Sequence, residues 1–282
     1  MPQAGFWQQV MADGLRVPEG RPLDDLTTEL VIMLGSRDPA LRDGIAYPAL
    51  ATWISRGVYD DLLAGLGDGM VAGLGIGIGE TGTATVFRRS FSALVIAECI
   101  SRDAVVQRMP ANKILDWGDR IAAWFVRERD LRGYVPGEGW AHAIAHGADA
   151  IAALAGSPHL GKAELTVMLD VLADRLLLST DTLFGAGEPD RMAVATMEIL
   201  RRNLVPLAVL EPWIARLGSA ATYRPHTDVD PFLSTGNAEA FLRALYLQLS
   251  LAPRHPDVRA DLLLTLVGAL RASNPHYLID PS

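Results

Sequence analysis

Cysteine is all but missing from this 282-residue chain: Cys99 stands alone. An intrachain disulfide is thereby excluded, and the composition suits a reducing compartment. Aromatic residues make up only 7% of the chain, and strand-type alternation over a usable length is absent, which leaves little material for a sheet. No apolar run reaches the length of a membrane span. The nearest, "LVPLAVLEPWIARLG", is broken by Pro206, Glu211 and Pro212. The 25 basic residues are scattered through a chain of net charge −8. The basic stripe that displaces counterions from phosphates is lacking, so nucleic-acid binding is not expected. The opening "MPQAGFWQQVMADG" has neither the positive segment nor the apolar core of a secretory leader, so a cytoplasmic location away from membranes is expected.

What the chain has in quantity is Ala and Leu, within a hydrophobic share of 50%. Both favour helix. Leu165, Met168, Leu169, Leu172 and Leu176 repeat at helical spacing, as do Val258, Leu262, Leu266, Ala269 and Leu270. Asp38-Pro39 reads as a helix start, Asn237 as the cap of "AEAFLRALYLQLSL", and Glu211-Pro212 as the opening of "WIARLG". Roughly eleven or twelve helices of ordinary length follow. Tight Gly/Pro turns and the lack of a low-complexity linker predict a single all-helical domain over 1–282. Its helices would stack as antiparallel pairs, in a HEAT- or armadillo-like α-solenoid or a compact helical bundle.

Gly77, Gly79 and Gly82 in "GLGIGIGETGTATVFRRS" fall in the G-x-G-x-x-G spacing of a dinucleotide loop. That loop needs a strand before it and a second strand about twenty residues later. Here a helical stretch precedes the glycines, "TATVFRRSFSALVIAECIS" follows as helix, and no further βαβ unit completes a sheet. The glycines therefore read as a helix–helix connector. Glu80 and the threonines after it lead into a helix start able to meet an anion. In the helix itself Glu98 falls between Phe87 and Phe91, where a carboxylate needs a partner such as Arg88.

The most chemically suggestive segment is "DLRGYVPGEGWAHAIAHGADAIAALAG", residues 130–156. Read as one helix, it places Glu138, His142, His146 and Asp149 within about 80° of each other on the wheel. Trp140, Ile144, Ile151 and Leu154 then lie on the opposite side, towards the core. Two imidazoles four residues apart can reach one metal, with Asp149 completing a set of three. The helical zinc-protease pattern is not met, because Ala143 stands where its glutamate belongs. Asp130, Arg132 and Tyr134 are expected to order the entry into this segment. Cys99, in an apolar helix, reads as an inert buried thiol.

Two of these motifs, "GIGETGTATVFRRSFSALVIA" and "RDLRGYVPGEGWAHAIAHGADAI", together with "LRDGIAYPALATWI" at 41–54, resemble a bacterial family catalogued as domain of unknown function 2785. The resemblance spans roughly the first 200 residues. It implies an all-helical bacterial protein and carries no activity and no established site residues.

The residues themselves point first to a binding module for a protein or small-molecule ligand. Its polar groove would be lined by Glu80, Arg88, Arg89, Trp140, His142, His146 and Asp149, with no cofactor. The alternative is a hydrolase in which His142, His146 and Asp149 hold a divalent metal such as Zn or Mn, or the histidines act alone. Glu138 or Glu98 would then be the general base.

Overall fold

Ala- and Leu-rich periodicity becomes helix almost wherever it occurs. A computed structural model describes residues 4–223 and 230–278. The fold is all-α, built from packed helix pairs, with twelve helices of nine residues or more among the described residues. Contacts group the chain into two units, Met1–Ser157 and Pro158–Ser282.

The first unit contains α1 (Ala4–Ala12), α2 (Leu23–Met33), the short α3 (Pro39–Leu41), a π-helical turn at Arg42–Ala46, and α4 (Tyr47–Ser55). These are followed by α5 (Leu63–Gly73), α6 (Thr85–Val106), α7 (Ala111–Arg127) and α8 (Ala143–Gly156). Helix α6 is the axis. It buries Val86, Phe87, Phe91, Val95, Ile96, Cys99 and Ile100, and packs on α4, α5 and most extensively on α8. Each large side chain so buried stabilises the fold by about 1.5–3 kcal/mol. Small residues allow the close approaches: a methyl group on Gly147 of α8 would come within 2.4 Å of the Phe125 ring.

The second unit runs through α9 (Lys162–Leu177), α10 (Glu188–Arg201), α11 (Leu207–Ala221), α12 (Pro231–Leu251), α13 (Arg259–Ser273) and α14 (Pro275–Leu278). Leu165, Met168, Leu169, Leu172 and Leu176 form the buried stripe of α9, as their spacing predicts. Two expected helix starts are corrected. Pro212 lies inside α11, which begins after Pro206. Asn237 lies inside α12, where its side-chain amide oxygen Oδ1 accepts from the Phe184 N–H at 2.8 Å. The cap of α12 is Asp230, which accepts from Phe232 N–H.

The expected helix over 130–156 is also corrected. Its first half is a hairpin of β1 (Tyr134–Val135) and β2 (Gly139–Trp140), with Tyr134 paired to Trp140 and Val135 to Gly139. Pro136 and Gly137 break the helical pattern, and Gly137 and Gly139 take φ of +79° and +80°, which a side chain strongly disfavours. The helix proper, α8, starts only at Ala143.

Candidate functional site

Four stretches of the first unit meet around this hairpin: residues 36–42, the glycine loop before α6, α6 itself, and the chain from Glu128 to His146. Ion pairs hold them together. Arg89, fully buried, donates to both carboxylate oxygens of the equally buried Glu128 at 2.6 and 2.9 Å. Its remaining nitrogen donates to the Ile76 and Gly77 carbonyls and the Thr85 hydroxyl. Glu128 also accepts the Trp124 indole N–H and the backbone N–H groups of Arg129 and Asp130. Asp130 accepts from Arg132 and from Gly82 N–H, while Arg132 donates to the Thr83 carbonyl. Asp130 and Arg132 thus order the entry, as expected, by tying it to the glycine loop.

That loop joins two helices, α5 and α6. Gly77, Gly79 and Gly82 all adopt positive φ. Glu80 folds back over the start of α6 and accepts from the Thr83 and Thr85 hydroxyls at 2.8 Å each. Those two hydrogen bonds, Thr85 first, hold its carboxyl below the usual glutamate range. A carboxylate of the chain therefore already stands where an incoming anion was expected.

The hairpin is fixed from below by Arg42. This guanidinium is fully buried against the rings of Phe87 and Phe91, 4.1 and 5.0 Å from their centroids. It donates to the Ser36 and Glu138 carbonyls at 2.7 Å each and pairs with Asp43. Burial pushes its pKa down from the ordinary arginine value, offset in part by Asp43. Gly139 lies directly above, and a Cβ there would meet Arg42 Nη2 at 2.9 Å. The Glu138 side chain is drawn to Arg37 at 3.4 Å.

On this base stands a line of rings. Tyr134 meets Trp140 edge-on at 5.2 Å; Trp140 stacks on His142 at 4.5 Å with 20° between planes. His142 meets His146 at 5.7 Å, and His146 meets Phe91 edge-on at 5.1 Å. The line runs from the surface inwards: Tyr134 and Trp140 are exposed, His142 partly so, His146 buried. His142 precedes α8 with a left-handed backbone, φ +52°, which turns its ring back towards Trp140. His146 Nδ1 lies 2.7 Å from the Ser90 hydroxyl of α6.

The structure therefore brings Trp140, His142 and His146 together, but not as one stripe of a helix. Trp140 faces outward rather than into the core. Asp149 sits partly exposed one turn further along α8. Arg88 is turned away, donating to the Val31 carbonyl, and burial lowers its pKa. Glu98 is partnered by the Tyr47 hydroxyl at 2.9 Å rather than by Arg88. Among the described residues no three His, Cys, Asp or Glu side chains group as a metal site requires. Arg42, Glu128 and Ser90 escaped the sequence reading; their partners lie 96, 39 and 56 residues away, beyond any local pattern.

The family profile described as Protein of unknown function (DUF2785) matches residues 74–247, more than half of the chain. The chain belongs to the DUF2785 family. The matched region takes in the glycine loop, the hairpin and α8. It omits residues 41–54, where a resemblance was also read, and continues past residue 200 into α12. No curated protein and no solved structure matches the chain. DUF2785 membership therefore assigns no activity. Among the described residues no helix is long and apolar enough to cross a membrane.

Proposed function

We propose that this protein is a cytoplasmic binding module that takes a small ring-shaped ligand on the ledge formed by Tyr134, Trp140 and His142. One observation carries the reading. Of the six tryptophans, five are at most 6% exposed and each donates its indole N–H to a protein acceptor. Those acceptors are Glu29, Asp68 and Glu128 and the carbonyls of Leu15 and Leu169. Trp140 alone is substantially exposed, at 42%, and its N–H has no protein acceptor among the described residues. A large aromatic surface held rigid by the ring beneath it favours stacking at low entropic cost, and a free indole N–H favours an acceptor on the ligand. A saccharide ring offers both an apolar face and acceptor oxygens. The hydrolase alternative has less support, since its two candidate bases are engaged within the chain, Glu138 by Arg37 and Glu98 by the Tyr47 hydroxyl.

The test follows the six indole N–H resonances of the ¹⁵N-labelled protein during titration with a panel of mono- and disaccharides. The expected result is a sugar that moves the Trp140 resonance selectively and no longer binds Trp140→Ala. A panel that leaves Trp140 unmoved, or binding that survives Trp140→Ala, overturns the reading.

A further inference from the structure

We infer that the buried contact of Ser90 with both the Ala141 carbonyl and His146 holds a proton on His146 Nδ1, so that Nε2 is the ring nitrogen that gains and loses the second proton. The Ser90 hydroxyl is completely buried and has a single proton to give. Its oxygen lies within hydrogen-bond distance of two atoms, the Ala141 carbonyl oxygen and His146 Nδ1. The carbonyl can only accept. Were the Ser90 proton turned to Nδ1 instead, two oxygens would face each other at hydrogen-bond distance with no proton between them, and a buried carbonyl would lose its donor. Ser90 therefore donates to Ala141, and its lone pair is left for Nδ1 at 2.7 Å. Only a protonated Nδ1 makes that contact favourable. Neutral imidazole then carries its hydrogen on Nδ1, and imidazolium satisfies Ser90 equally well.

Neighbouring groups keep the ring in this orientation. Phe91 meets it edge-on at 83°, His142 at 70°, and the His146 backbone N–H is bound to the His142 carbonyl within the first turn of α8. The three participants come from α6, the hairpin exit and α8, so the arrangement reports the packing of all three. Its chemical consequence is directional: the proton that His146 exchanges is the one on Nε2. Ser90 is a positioning residue: it acts through the imidazole. This inference is independent of the aromatic-ledge reading.

Long-range ¹H–¹⁵N correlation spectra of the full chain, recorded across the histidine range of about pH 5–8, read the protonation of each ring nitrogen directly. The expected pattern for His146 is a protonated Nδ1 throughout, with only Nε2 titrating. Ser90→Ala should release the neutral ring to the Nε2–H form, and Ser90→Thr, which keeps the hydroxyl, should preserve the wild-type pattern. An Nε2–H neutral form in the wild type overturns the inference without recourse to any variant. A wild-type pattern retained in folded Ser90→Ala overturns the role of Ser90. Should Ser90→Ala not fold, the wild type and Ser90→Thr decide: a neutral Nε2–H form in either overturns the inference.

Discussion

Arg89 and Glu128 meet through two parallel hydrogen bonds, Nε to Oε2 at 2.6 Å and Nη2 to Oε1 at 2.9 Å, with neither side chain reaching solvent. Removing one partner strands a buried charge, so Glu128→Ala is expected to cost about 3–5 kcal/mol in urea unfolding. Replacing both, as Arg89→Met with Glu128→Leu, should recover only part of that loss. The carboxylate also serves Trp124 and two backbone N–H groups, and those donors remain orphaned. Full recovery in the double variant would mean that the pair acts alone.

Gly139 and Gly137 share nearly the same positive φ but differ in surroundings. A Cβ at Gly139 meets Arg42 at 2.9 Å and Pro39 at 3.0 Å; one at Gly137 meets nothing within 4 Å. Gly137→Ala should cost the backbone strain alone, roughly 1–2 kcal/mol. Gly139→Ala should cost more and loosen the hairpin from Arg42. Collisional quenching by acrylamide reads the difference, because Trp140 is the one strongly exposed indole. Quenching should rise in Gly139→Ala and stay near wild type in Gly137→Ala.

Glu29 links the first two helices to acid stability. The Arg21 guanidinium holds its carboxyl below the usual glutamate range, with the Trp7 indole N–H assisting at 3.0 Å. A carboxyl whose folded pKa is depressed stabilises the fold above its unfolded value, about 4.3, and loses that contribution as pH falls through the folded value. Stability measured from about pH 6 downwards should therefore fall less steeply in Glu29→Gln than in the wild type. Identical slopes would remove Glu29 from the account.

Cys99 is completely buried in α6, and burial pushes its thiol pKa up. The native protein should resist a disulfide reagent at about pH 8, where an ordinary thiol is partly ionised. One thiol per chain should react once the protein is denatured. Rapid reaction of the native protein would show that α6 opens locally.

The helices were legible because their apolar residues recur with the period of the structure they form. The stripe of α9 needed nothing from the rest of the chain. Segment 130–142 departs from the helical wheel because Pro136, Gly137 and Gly139 interrupt helix for reasons visible in their own chemistry. Tyr134 and Trp140 flanking that turn were the available hairpin signal. Nothing local could announce the left-handed backbone of His142, since few residues other than glycine adopt it even among the types, histidine included, that do so more readily. The same holds for Arg89, read as a groove residue: only the distant Glu128 reveals it as a strut. His142 and His146 did prove to be neighbours, but through a turn and a ring contact rather than a shared helical face.

Arg42 grips the hairpin at Glu138 by the carbonyl oxygen, an atom that every amino acid supplies. The side chain of that residue is engaged separately, by the more exposed Arg37. Anchorage and identity are thus uncoupled at the turn: what residue 138 presents to its surroundings can vary while the ribbon stays where it is. A rim built in this way can be re-tailored to a new visitor without rebuilding the floor beneath it.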